Sequence, residues 1–486
     1  MALAALVAGL VAFIAVLRGL AAQRHAYQVI KVAQEALGVI TDPDLSDEAK
    51  EKRIQRASLS LLKRFFLLLS IGVVACLSAT LFVVSGELLG FFSVGQAMAI
   101  ATSGSFLLWS SVGAIALWIL SGKLGSREAA KPENIHGEVP YSALDRALHN
   151  FVFASPDRQI ALSAVEDRCW KRTLAETRLE KPVFVTSLPR AGTTILLELL
   201  ARQEEFAAAS YRNMPFTMSP LLWGRFSRLF RKAGAKAERA HGDGIAVDFD
   251  SPEAFEEMIW MAFWRERFQG QRIALWDARD RDAEFEDFLS RHMRKIVASV
   301  PNSRRYVSKN NANIARLPLL KAAFPEAKIL IPIRDPASQI TSLMRQHRRF
   351  TDLHARDRFA RQYMEGIGHF EFGAALRPIA FPGAPESAEG AEHVDYWLRY
   401  WIAAYEHVLR SAPAETVFID HGALSRAPDT QLPMLAEALG VEGQAAFIAA
   451  SDMFRMPPPS PELSGASPNL VQRAGDLRAE LLTRAL

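Results

Sequence analysis

Two stretches of this chain carry no charged side chain for longer than a lipid hydrocarbon layer is thick. Residues 65–84 are uncharged over 20 positions and residues 97–120 over 24. A helix of about 20 residues crosses a hydrocarbon core of about 30 Å. In lipid every backbone group must be bonded within the segment, so a run like these is expected as a helix. A buried helical hairpin in a soluble protein is the competing form, and two runs this long disfavour it. Residues 2–17 make a third, shorter uncharged run of 16, followed by Arg18. Arg18 lengthens it by reaching its guanidinium toward the interface. A signal peptide would carry a basic start, which this run lacks. The expectation is a membrane region over residues 1–122 with three spans, at about 2–22, 65–85 and 97–120, and the lipid bilayer as a partner.

Charge sets the expected orientation. Residues 18–64 carry nine Lys and Arg, the turn 85–96 carries none, and Lys123, Arg127 and Lys131 follow the third run. Basic residues near span ends stay on the cytosolic side. The chain is therefore read as an integral membrane protein with residues 123–486 in the cytosol. The basic, partly amphipathic segment 49–64 suits an anionic lipid surface or a solvated connector equally. Residues 123–486 hold 48 basic and 46 acidic side chains. That balance gives no electrostatic case for nucleic acid. The two cysteines, Cys76 in an apolar run and Cys169 in a polar one, make no disulfide framework, and no Cys/His cluster has zinc spacing.

Residues 123–145 read as a charged linker containing Gly and Pro, and residues 146–486 as one further domain. There, short β-branched runs alternate with longer helical patterns. Strands are expected at 182–187, 305–308, 328–333 and 416–420. Helices are expected at 193–203, 252–268 with Ser251 as cap, 337–349, 395–411 and 431–439. Strands separated by helices imply an α/β fold with a mostly parallel sheet flanked by helices. The aromatic stretches 260–264 and 396–405 read as helix cores. The tail 457–467 is rich in Pro and Ser and reads as loose, with a short final helix after it.

The strongest local signal is Thr-Ser-Leu-Pro-Arg-Ala-Gly-Thr-Thr at 186–194, between a strand and a helix. Such a loop offers successive backbone N–H groups and a helix N-terminus to an anion. Gly192 lets the backbone approach closely, Thr193 and Thr194 add hydroxyl donors, and Arg190 can bond two phosphate or sulfate oxygens. The pattern is not a Walker A loop, because its first glycine and its lysine are both absent. A second signal follows the strand 328–333, where Arg334-Asp-Pro leads into a helix carrying Ser342. The arginine and serine can converge on one phosphate. Asp335 as a helix cap and Arg334 in a surface ion pair would explain the same residues without a ligand.

Pro-Arg-Ala-Gly-Thr-Thr after one strand, with Arg334 and Ser342 eight apart after a later one, resembles the sulfotransferases that use 3′-phosphoadenosine 5′-phosphosulfate (PAPS). The segment Tyr-Val-Ser-Lys-Asn at 306–310 and Phe324-Pro-Glu-Ala-Lys before the second motif are similar to that family as well. The resemblance spans roughly 180–442. It implies a P-loop-like sulfotransferase fold, PAPS as co-substrate, no metal, and transfer of a sulfuryl group to a hydroxyl or amine. By resemblance, Arg190, Ala191, Gly192, Thr193 and Thr194 grip the 5′-phosphosulfate, and Arg334 with Ser342 grips the 3′-phosphate. Lys309 becomes a second catalytic cation beside Arg190. Several positions depart from the family pattern. Arg190 stands where the soluble branch has lysine, Ala191 where a serine is usual, and Asp420-His421 where many members have Tyr-Glu. No Arg-x-Gly-x-x-Gly segment lies near the C-terminus.

The acceptor must lose a proton, so a base is expected near the first loop. His241, in the Gly-rich stretch 241–245, is the first candidate and Asp243 the next. Glu253, Glu256 and Glu257 read as a solvated helix face. Membrane anchoring suggests a lipid or lipid-linked glycan acceptor. The alternatives are a P-loop-like nucleotide kinase or NTPase, with Asp335 imitating a Walker B acid, and a non-catalytic membrane-anchored nucleotide-binding protein.

Overall fold

The structure is a computed structural model that describes residues 1–22, 25, 28–29, 32, 47–104, 106, 110, 113, 149, 152–153, 155–230, 237–238, 246–247, 252–253 and 255–486. The chain divides into two compact units, 1–133 and 134–486.

The first unit is helical. Helix Ala2–Gly19 packs against the helix Asp47–Leu88, and Val94–Ala101 follows a short turn. The close approach depends on Gly9, where a Cβ would lie 2.8 Å from the Ala79 carbonyl oxygen. Small residues that let helix backbones meet in this way are favoured between membrane helices. The turn is fixed by a capping box between Ser93 and Gln96, and by the Val94 N–H donating to Glu87 Oε1 at 3.1 Å. Phe65, Leu77 and Leu81 point outward, the last 69% exposed. Two helical segments, Ala2–Gly19 and Ala57–Leu88, are long and apolar enough to cross a membrane. Most of the expected third span, and the linker 123–145, lie outside the described residues.

The second unit is built on a five-stranded sheet in the order β2-β5-β1-β6-β7, parallel throughout. The strands are β1 (Val183–Val185), β2 (Phe206–Ala207), β5 (Arg305–Lys309), β6 (Lys328–Ile333) and β7 (Val417–Asp420), with a separate antiparallel ribbon of β3 (Ala237–Glu238) and β4 (Ala246–Val247). The central strands are buried along their length, as a sheet covered by helices on both faces requires. Val185 pairs with Lys309 on one side and Leu330 on the other. This register brings the carboxyl ends of β1, β5 and β6 to one edge, where open α/β sheets place ligands.

Helices form where the periodicity predicts them: Thr193–Ala201, Pro336–Arg356, Val394–Ser411 and Pro428–Leu439. The expected helix over 252–268 is shorter. It runs Glu257–Phe263 and tightens to a 3-10 turn at Arg265–Phe268. Pro252 instead forms an antiparallel bridge to Ser210. The two aromatic stretches do build the core, with Trp260, Trp397 and Trp401 fully buried. The tail 457–467 has no helix or strand, but it is tied down. Ser460 Oγ donates to Asp335 at 2.6 Å, and the Ser467 N–H to Asp395 at 2.8 Å.

Candidate functional site

The loop after β1 is held from several directions. Ser187 Oγ lies 2.9 Å from the Pro332 carbonyl and 2.7 Å from the Tyr405 hydroxyl. The Gln339 side-chain amide donates to the carbonyls of Leu188 (3.2 Å) and Pro189 (2.9 Å), and its own oxygen accepts from Trp401 Nε1 at 2.9 Å. With these carbonyls engaged from behind, the turn itself is set by two left-handed residues, Arg190 (φ +69°) and Gly192 (φ +98°), flanking Ala191. Alternating handedness of this kind turns successive N–H groups toward one concavity, an anion nest. Arg190 adopts a conformation that favours glycine, the kind of strain that accompanies binding turns. Gly192 has no alternative, because a Cβ there would meet His421 Cδ2 at 2.1 Å.

The second cradle lies against the first. Arg190 Nε donates to Ser342 Oγ at 3.0 Å, and Arg334 Nη1 donates to the Arg190 carbonyl at 2.7 Å. Asp335 caps the helix Pro336–Arg356 by accepting from the Ser338 N–H at 2.8 Å. Burial depresses the Arg334 guanidinium pKa, and the nearby charges of Arg190 and Arg345 depress it further against the opposing pull of Asp335. Positive charge accumulated this way favours a multiply charged anion.

Lys309 ends β5 beside the loop, followed by Asn310 and Asn311. The Asn310 N–H donates to the Val185 carbonyl, and its side-chain amide to Glu257 at 2.7 Å. Thr193 Oγ1 donates to Asn311 Oδ1 at 3.2 Å, which spends the hydroxyl proton expected to face an anion. Thr193 thus offers its backbone N–H, while Thr194 beside it is part-exposed.

A sequence profile described as the Sulfotransferase family matches residues 182–371, from the strand β1 through both cradles. The match covers less than half of the chain. Two solved structures are similar to it. They are sulfotransferase STF9 from Mycobacterium avium (14% identity, 77% of this chain and 90% of that one, TM-score 0.40) and sulfotransferase STF1 from Mycobacterium tuberculosis H37Rv (14%, 76% and 91%, 0.39). No curated protein matches the chain in sequence.

Arg190, Gly192, Thr193, Arg334 and Ser342 converge at one edge of the sheet, with Lys309 on the neighbouring strand. His241 and Asp243 lie outside the described residues. Glu253 accepts from the Tyr211 hydroxyl at 2.5 Å. The solvated face expected at Glu256 and Glu257 is not what forms. Both are buried, 3% and 4% exposed. Glu256 receives Trp260 Nε1, Asn313 and the Tyr306 hydroxyl. Glu257 pairs with the buried Arg316, which stacks 4.0 Å over the Trp260 ring. Burial raises the Glu257 pKa against the pull of Arg316. The two carboxylates anchor the segment after β5, a role that polarity alone disguises as surface.

His421, Asn311 and Glu371 are the site residues that sequence reasoning passed over. His421 opens the helix after β7, where Asp420 accepts from the Gly422 N–H at 2.9 Å. Burial, and then the Arg334 charge, push its imidazole down to about 4, so it is neutral at pH 7. The departure at Asp420-His421 was the available signal.

Proposed function

We propose that the protein transfers a sulfuryl group from PAPS to a hydroxyl or amine of an acceptor. The observation that carries this reading is the contact between the two cradles, Arg190 Nε to Ser342 Oγ at 3.0 Å and Arg334 Nη1 to the Arg190 carbonyl at 2.7 Å. Cradles this close suit the two ends of one doubly phosphorylated nucleotide. The Arg190 side chain and the N–H groups of residues 190–194 would hold the 5′-phosphosulfate, and Arg334 with Ser342 the 3′-phosphate. Sulfuryl transfer resembles phosphoryl transfer, in which catalysis is positioning and charge stabilisation. Arg190 and Lys309 would stabilise charge that develops on the departing side.

The two apolar helices support a membrane anchor, and the asymmetry of basic residues supports a cytosolic catalytic domain. A lipid or lipid-linked glycan at that leaflet is the acceptor this arrangement favours. Incubating the full-length protein with labelled PAPS and a membrane lipid extract tests the reading. The expected product gains about 80 Da, the mass of SO₃, by a transfer analogous to phosphoryl transfer. Arg190→Ala and Lys309→Ala should each reduce that product. Turnover left intact by both would overturn the assignment.

A further inference from the structure

The family profile ends at residue 371, but the far end of the chain comes back to the second cradle. Ser460, exposed within the run Pro-Pro-Pro-Ser-Pro at 457–461, donates from Oγ to Asp335 Oδ2 at 2.6 Å. The same carboxylate oxygen accepts from the Ser338 N–H at 2.8 Å, the cap of the helix Pro336–Arg356. Prolines on both sides restrict the backbone at Ser460, so the hydroxyl is offered at little cost in entropy. Beyond it the helix Pro468–Leu482 buries Leu477 and Leu481. Arg478 Nη2 lies 3.4 Å from Asp420 Oδ1, and the Leu486 N–H donates to the Phe418 carbonyl at 3.0 Å. Residues 460–486 thus fasten β7 and the turn after β6.

Asp335 directly follows Arg334, which donates to the Arg190 carbonyl at 2.7 Å. Burial pushes the Asp335 carboxyl up, but the bonds from Ser460 and Ser338 outweigh it and keep the group below the usual carboxylate range, charged at neutral pH. A carboxylate beside an arginine competes with a phosphate for the same guanidinium. A carboxylate that already accepts two hydrogen bonds competes less, because turning toward the arginine would break them. The helix cap supplies one of those bonds and the Pro-rich strap the other.

We propose that Ser460 is a positioning residue for the nucleotide: by holding Asp335 on the helix cap, it keeps Arg334 available to the 3′-phosphate. This rests on the donor reading above and adds to it a residue that lies beyond the family profile and acts through Asp335 without touching the ligand. The expected signature is selective. Ser460 should matter for a nucleotide that carries a 3′-phosphate and not for one that lacks it.

Calorimetry on full-length protein in detergent, with adenosine 3′,5′-bisphosphate and adenosine 5′-monophosphate, is the test. Ser460→Ala should weaken the bisphosphate about 3- to 10-fold, the scale of one hydrogen bond, and leave the monophosphate within about twofold. Ser460→Thr keeps a hydroxyl and suits the extended backbone before a proline, so it should restore the bisphosphate. In an Asp335→Asn background Ser460→Ala should cost much less, because no carboxylate charge is left to hold. Ser467→Ala loosens the same strap at its other end, where Ser467 Oγ bonds Asp395, and should leave both affinities unchanged. No loss for Ser460→Ala, an equal loss for both nucleotides, no rescue by Ser460→Thr, or a cost that persists with Asp335→Asn would each overturn the inference and leave the donor reading standing. A wild type with no preference for the bisphosphate sinks the donor reading, and this inference with it.

Discussion

The two proposed anion cradles meet at one sheet edge but are made of different material. The loop after β1 is a backbone device, with its carbonyls fastened by Gln339, its shape set by two left-handed residues, and its glycine pressed against His421. The cradle after β6 is a side-chain device: one arginine, one serine on the first turns of a helix, and a capped N-terminus. A backbone cradle fails when its path changes. A side-chain cradle fails one hydrogen bond at a time. The two should therefore respond to substitution on different scales.

The largest effect is expected at Gly192. Gly192→Ala puts a Cβ into the His421 ring and into a disfavoured φ at once. Donor-dependent kcat/KM should fall about 100-fold or more, as for a displaced catalytic group. A second substitution, His421→Ala, should recover part of the loss by removing the clash but not the backbone strain. Full recovery would mean that φ at Gly192 is unimportant and would weaken the distinction between the cradles.

Arg334→Ala comes next. A hydrogen bond to a charged group contributes about 1.5–3 kcal/mol, or about 10- to 100-fold in Kd. Calorimetry should show that loss for adenosine 3′,5′-bisphosphate and little change for adenosine 5′-monophosphate. Ser342→Ala removes one neutral donor, and the corresponding loss is about 2- to 10-fold. A Ser342→Ala loss as large as that of Gly192→Ala would erase the contrast.

The smallest effect concerns stability. His421 stays neutral in the fold down to about 4, against an ordinary value of 6.5. Between those values the unfolded chain binds the extra proton, so stability is lost as pH falls from 6.5 toward 4. His421→Asn should flatten that part of the profile of Tm against pH. His292, pushed down to about 3, and His407, to about 4, both mainly by burial, should maintain the remaining slope.

The same contrast explains what could be read from the sequence. A nest needs glycine at a fixed place after a strand, and an arginine and serine eight apart need only a helix start between them. Both patterns are local, so residues 186–194 and 334–342 are visible in one dimension. The parallel sheet is visible for the same reason, through alternating strands and helices. Asn311 and Glu371 are 60 residues apart and meet only once the chain is folded. Neither has a local pattern to announce it. Glu256 and Glu257 mislead because carboxylates are rarely buried without partners, and their partners Tyr306, Asn310, Asn313 and Arg316 come from β5 and the segment after it, some 50 to 60 residues on. The helix expected from residue 252 starts late because Pro252 is used in the bridge to Ser210.

Titration of the full-length protein with adenosine 3′,5′-bisphosphate and with adenosine 5′-monophosphate, before and after Arg334→Ala, bears most directly on whether both cradles grip one nucleotide. The bisphosphate should bind one per chain and more tightly by about 10- to 100-fold, the worth of one charge-assisted contact, and Arg334→Ala should remove that advantage. Equal affinity for the two nucleotides in the wild type, or an advantage that survives Arg334→Ala, would contradict a single shared nucleotide.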